Sequence, residues 1–168
     1  MKKYVNVFDY AGEICKAMPQ GVLLTTAAGG KVNTMTIGWG TIGIEWGKPV
    51  FIAFVRDSRY TMQLLEENAA FTINIPLGQV DKKILGYCGT KSGRDTDKIA
   101  DTGLTPEPGE AVSVPGFKEL PLTLECKVLY RQKQVNDELP TALFDRYYSA
   151  GDYHTAFYGE IVGAYIVQ

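Results

Sequence analysis

Four stretches of the 168-residue chain carry side chains whose types and spacing could do chemistry. In VRDSRYT, Val55 to Thr61, two arginines and two hydroxyls crowd the start of an expected helix. Helix starts leave backbone N–H groups unpaired and favour anions, so Arg56, Ser58, Arg59 and Thr61 would suit a phosphate monoester. Plain capping by Ser58, with the arginines solvated or paired to Asp57 and Glu66, is the competing explanation. In NTMTIGWG, Asn33 to Gly40, small residues surround Met35 and Trp39. Such a strand could lay its backbone edge against a planar heteroaromatic ring, with Gly38 and Gly40 keeping the approach free of side chains. It could equally be a bulged strand whose glycines allow a barrel to close.

The third stretch, YCGTKSGRDTDK, Tyr87 to Lys98, reads as a glycine-rich turn with Lys91, Ser92, Arg94 and Lys98. It could wrap a polar or negatively charged ligand, or simply join two helices. Cys88 could be a reactive thiol, although a buried inert cysteine is the commoner case. The fourth is the single histidine, His154, just before the last long apolar segment. A place at a pocket rim would let it donate a proton or touch a hydride donor, while a lone histidine is more often structural. Cys15, Cys88, Cys126 and His154 are too scattered for a metal site of usual spacing.

The elements that must position these residues follow from hydrophobic periodicity. Ala11, Ile14, Cys15 and Met18 mark a helix over 9–18, stopped by Pro19. GVLLTTAAGGKVNTMTIGWG reads as a hairpin turning at Gly29-Gly30, and KPVFIAFV as a buried strand. A helix over about 59–67 follows, with Ser58 as its N-cap, and then the strand AAFTINIP with Phe71, Ile73 and Ile75 on one face. Residues 79–101 are helical in pieces, and 102–121, rich in Pro and Gly, form a loop with one short strand. LTLECKVLYRQ places Leu122, Leu124, Cys126, Val128 and Tyr130 on one face, and TAFYGEIVGAYIV is apolar on both faces, like a central barrel strand.

Six or more hairpin-connected strands with a few short helices predict a mostly-β (α+β) single domain, an antiparallel barrel with short flanking helices. No G-x-G-x-x-G follows a strand, so a Rossmann unit is unsupported. A net charge of −2 without a basic stripe argues against a nucleic-acid surface. The longest apolar run, Val50 to Val55, is too short to span a membrane, and the N-terminus lacks the apolar core of a signal peptide. A reduced, cytoplasmic protein is the expectation.

Taken in order, Met18 to Pro76, CGTKSGRDTDKIADTGL and DYHTAFYGEIVGAYI resemble the flavin reductase-like proteins with the FMN-binding split barrel, a group that includes flavoredoxins and ferric reductases. The similarity spans about nine tenths of the chain. It implies an antiparallel split β-barrel that binds FMN non-covalently as a homodimer, with NADH or NADPH as a possible donor. Carried over by residue, Asn33, Met35, Thr36 and Trp39 fall beside the flavin ring, and Arg56, Ser58, Arg59 and Thr61 around ribityl and phosphate. Cys88, Gly89, Ser92 and Gly93 fall along the cofactor, with Lys98 and His154 at the family's lysine and histidine. Lys98, Lys91 or Arg94 would then stabilise negative charge on the reduced ring. The implied activity is NAD(P)H-dependent reduction of flavin or a ferric chelate, or, alternatively, flavoredoxin-like electron transfer without small-molecule turnover.

Overall fold

A computed structural model describes all residues, 1–168. In chain order the strands and helices are β1 (Lys2–Tyr4), α1 (Ala11–Ala17), β2 (Val22–Ala28), β3 (Lys31–Ile37), β4 (Gly40–Glu45), β5 (Lys48–Arg56) and α2 (Tyr60–Glu67). There follow β6 (Ala70–Ile75), α3 (Lys82–Thr90), α4 (Lys98–Thr102), β7 (Pro106–Glu107), β8 (Gly116–Phe117), β9 (Leu122–Lys133), α5 (Thr141–Tyr147) and β10 (His154–Val167). Eight strands make one antiparallel sheet in the order β3-β2-β6-β9-β10-β5-β4, with β1 on the far end of β10. The 14-residue β10 is the spine, because it pairs with β9 along most of its length and with β5 through His154 to Glu160.

The sheet curls around one apolar interior. Val22 and Leu24, Phe51, Ala53 and Val55, Phe71, Ile73 and Ile75, Leu122 and Leu124, and Phe157 and Ile161 all face it and are buried. Alternation along each strand selects this face, and burying it is the main favourable term in folding. The opposite face of β2, β6 and β9 is polar but covered: Thr25 bonds to Thr34 and Asn74, and Asn74 donates to Thr123. Glu125, also fully buried, accepts N–H bonds from Glu110, Ala111 and Val112 at 2.8, 2.5 and 3.0 Å. That carboxylate pins the proline- and glycine-rich loop across the sheet.

β3 and β4 are neighbours in sequence yet end the hydrogen-bonded path on opposite sides, with no ladder between them. Gly38 and Trp39 form the corner from which they diverge, and this gap is the split of the barrel. The expected single strand through NTMTIGWG is therefore corrected: pairing with β2 ends at Ile37, and β4 starts at Gly40 beside β5. Gly40 serves packing. A Cβ there would come within 2.7 Å of the Phe51 ring, so its smallness admits Phe51 to the core.

Other boundaries also differ. Tyr87 to Thr90 form the last turn of α3, so the loop proper is only 91–97. The proline-rich segment holds two short strands where one was expected. The register of β9 against β10 slips between Val128 and Tyr130, a bulge that ends the apolar alternation. Tyr130 consequently turns outward and packs edge-on against Trp46 and Tyr158, with ring centroids 6.1 and 5.2 Å away.

Candidate functional site

The split opens into two adjoining cavities of about 170 and 130 Å³, both lined by Met35 and Arg59. The first is bounded by Thr36, Ile37, Gly38, Trp39, Phe54, Arg56, Gly89 and His154. The second is polar, bounded by Asn33, Ser58, Tyr60, Thr61, Lys91, Ser92, Gly93, Arg94 and Lys98. Thirteen of the fourteen residues that the resemblance carried over to the cofactor site are thus brought together. Cys88 alone is not: it is 1% exposed and packs on the far side of α3 with Leu23, Ile84 and Leu85. Burial there pushes its thiol pKa up, which suits an inert side chain.

His154 and Arg56 face each other across the β10–β5 ladder at its first rung. The imidazole is 9% exposed, and its Nδ1 lies 2.8 Å from the Tyr148 hydroxyl. Its pKa is lowered to about 4, chiefly by burial and then by the Arg56 guanidinium, against the pull of Asp152 and Asp57. His154 is therefore neutral near pH 7. The Tyr148 hydroxyl and Nδ1 share one hydrogen bond, which fixes the plane of the neutral ring. Trp39 is 42% exposed and stands between His154, 5.2 Å away centroid to centroid, and Tyr147, 5.0 Å away and perpendicular. The first cavity thus has aromatic walls and one cationic side.

Arg56 and Ser58 are partly committed within the chain. Arg56 donates to the Asp152 carbonyl at 2.6 Å and the Tyr147 carbonyl at 3.3 Å, two of its five N–H donors. Ser58 donates through N–H and Oγ to the Asp152 carboxylate, at 2.9 and 2.7 Å. Those bonds and the nearby arginines hold the Asp152 carboxyl below its ordinary pKa, although partial burial works the other way. The expected Ser58 N-cap is corrected accordingly. Arg59, with extended backbone, caps α2 and makes no side-chain capping bond. Nor do Asp57 and Glu66 take up the site's arginines; Glu66 pairs with Arg131 and Asp57 with Lys133.

In the second cavity Asn33 donates through Nδ2 to Thr61 Oγ1 at 3.1 Å, while its buried Oδ1 has no partner. A buried acceptor left unpaired is costly, and Asn33 is among the residues that line this cavity. Gly93 lies so close that a Cβ would stand 2.0 Å from that oxygen, so only glycine fits this cradle. Lys98 is 5% exposed and donates to the carbonyls of Thr34 and Cys88, both at 2.9 Å. Burial lowers its pKa. It ties α3 to β3 and leaves one ammonium N–H uncommitted. Arg94 donates to the Ser58 carbonyl at 3.1 Å and lies over the Tyr60 ring, and its backbone N–H donates to Ser92 Oγ at 3.2 Å.

Sequence reasoning missed Phe54, Tyr60, Tyr148 and Asp152. Phe54 alternates with buried residues on β5 and reads as one more core position. Asp152 reaches Ser58 across 94 residues from a left-handed turn, φ 63°, which no local pattern announces.

This is the architecture of a split-barrel domain whose cleft joins an aromatic-walled cavity to a polar one. The chain belongs to the flavin reductase like domain family, whose model matches residues 15–168. It is 28% identical over 158 residues to an uncharacterized protein of Archaeoglobus fulgidus, covering 94% of this chain and 75% of that one. Flavoredoxin of Methanosarcina acetivorans superposes with a TM-score of 0.68 at 30% identity, over 88% of this chain and 68% of that chain. Flavoredoxin of Desulfovibrio vulgaris (Miyazaki F) gives 0.69 at 28%, over 88% and 69%.

Proposed function

We propose that the cleft binds FMN non-covalently and that the chain is an oxidoreductase, an NAD(P)H-dependent flavin or ferric reductase. The observation that carries the reading is the pairing of an aromatic cavity with a polar one that holds an unpaired buried acceptor, Asn33 Oδ1. The residues present fit such a group. Trp39, Phe54, Met35, Thr36 and His154 would hold the ring, while Asn33, Ser92, Arg94 and Arg59 would hold the ribityl hydroxyls and phosphate. When bound, FMN supplies the electron-accepting chemistry that no side chain of this chain offers.

The protein's own part is positioning and electrostatics. Arg56 and Arg59 set a positive potential at the rim of the first cavity, and Lys98 adds a buried cation beneath the second. Neutral His154 presents its Nε2 edge and an apolar face without adding charge. The two cavities together only reach the lower end of ligand-site volumes, about 300 Å³. A homodimer would complete the enclosure, and the exposed apolar patch of Ile44, Trp46, Tyr130 and Leu129 supports one. Three unpaired cysteines suit a reducing, cytoplasmic setting.

A second reading, a flavoredoxin-like electron carrier, is favoured by the 30% and 28% identity to two flavoredoxins. Anaerobic mixing of the FMN-loaded chain with NADH and with NADPH decides between them. Bleaching of the flavin, with steady oxidation of one donor when free flavin or a ferric chelate is added, is expected. Lack of turnover with both donors rejects the reductase reading, and transfer from the chemically reduced chain to a redox protein then supports the carrier.

A further inference from the structure

Between β9 and β10 the chain makes an excursion, residues 135–153, that carries α5 and adds nothing to the apolar interior. Tyr148 is its one buried residue, and no member of the core comes from it. The two strands close its neck, where the Gln134 N–H donates to the His154 carbonyl at 3.0 Å. Beyond α5 two consecutive residues with positive φ, Gly151 at 81° and Asp152 at 63°, turn the chain into β10. A segment without core contacts opens at far lower cost than the sheet it springs from.

Past the neck, the excursion's hydrogen bonds to the rest of the chain go to Arg56, Asp57, Ser58 and His154. Three of them end on Asp152, whose carbonyl takes Arg56 and whose carboxylate takes the Ser58 N–H and hydroxyl. Those Ser58 groups, with Arg56 beside them, are what the sequence offers to an external anion, and here an internal carboxylate holds them by charge-assisted bonds. The same excursion backs the aromatic cavity. Tyr147 stacks edge-on against Trp39 and accepts from Arg56, and the Tyr148 hydroxyl bonds to His154. Trp39, Arg56 and His154 are walls of that cavity, whereas its Met35 and Ile37 belong to the buried core. At about 170 Å³ the cavity falls short of the ~300 Å³ at which small-molecule sites begin. Close-packed core yields little, so the widening has to come from the side that the excursion supports.

We infer that residues 135–153 form a flap latched by the Asp152 carboxylate on Ser58, and that the aromatic cavity takes in a planar ligand only when this latch releases. Release frees Trp39 and Arg56 together, because both are fastened to the same flap. Asp152 lines neither cavity and acts through Ser58 and Arg56, as a positioning residue. The inference rests on the preceding reading only for the choice of flavin as the probe.

Hydrogen exchange of the full flavin-free chain tests the latch without any ligand. Asp152→Asn keeps the shape of the side chain and removes its charge, and Ser58→Ala removes the hydroxyl from the other side. In both variants the amides of Tyr148 and Gly151, which bond within the flap, should exchange about tenfold faster, with those of β5, β9 and β10 unchanged. Rapid mixing with FMN and with riboflavin, followed by flavin emission, tests the gate. The binding rate of the natural chain should level off at high flavin because release limits it, and Asp152→Asn should raise that plateau about tenfold for both flavins alike. Unchanged exchange in both variants, or faster exchange throughout the sheet, overturns the latch. A rate that never levels off overturns the gate, as does a gain confined to FMN, which would report only the lost charge. If neither flavin binds, the flavin reading falls, while faster exchange confined to the flap upholds the latch.

Discussion

Acidification should destabilise the folded chain through His154, and the size of that effect follows from its surroundings. The ring's pKa is about 4 in the fold against 6.5 when unfolded, so between those values the unfolded chain binds more protons. The stability is therefore fully present above 6.5 and lost as the pH falls from 6.5 toward 4. At about pH 5 the unscreened loss is about 2 kcal/mol. Because the ring borders an open cleft, screening trims this to about 1 kcal/mol. Urea denaturation at about pH 7.5 and pH 5 measures it in the natural chain and in His154→Gln, which keeps a polar side chain but cannot titrate there. Other groups contribute equally to both proteins and cancel. The natural chain should lose about 1 kcal/mol more than the variant over this interval. Equal losses would refute the buried, neutral histidine and the role of Arg56 in keeping it so.

The thiols should separate by burial. An aromatic disulfide reagent should modify one cysteine rapidly in the native protein, and Cys15→Ser should abolish that phase, because Cys88 and Cys126 are buried with raised pKa values. Glu125→Gln keeps the shape but offers one neutral acceptor to three N–H donors, so it should cost about 2 kcal/mol in urea unfolding. Gly93→Ala should cost about 1–3 kcal/mol, because its Cβ must push Asn33 off Thr61; an unchanged urea midpoint would show that the cradle is looser than described.

Much of this fold was legible because its determinants are local. Alternation placed Phe71, Ile73 and Ile75 in the core, and the Gly29-Gly30 turn fixed the β2–β3 register. The gathering of Asn33, Arg59, Ser92 and His154 around one cleft was legible only through resemblance, since nothing local says that strands 120 residues apart meet. What escaped notice depends on contacts between distant segments. Ser58 looks like an N-cap until Asp152 arrives to take its hydroxyl. Tyr130 continues a perfect alternation, but the bulge at Leu129 is dictated by pairing with β10. Gly40 and Gly38 look equivalent in sequence; only the position of the Phe51 ring tells packing from access.

The central claim is that the split of the barrel holds a phosphorylated flavin. Trp39 stands at the cleft and Trp46 is the other tryptophan of the chain, so a Trp46→Phe variant isolates the reporting residue. Titration of this variant, free of flavin, with FMN and with riboflavin, followed by Trp39 emission, tests the claim directly. Saturable quenching at one FMN per chain is expected, with riboflavin weaker by about tenfold or more for want of its phosphate. Emission that does not saturate, or that responds equally to the two flavins, would contradict it.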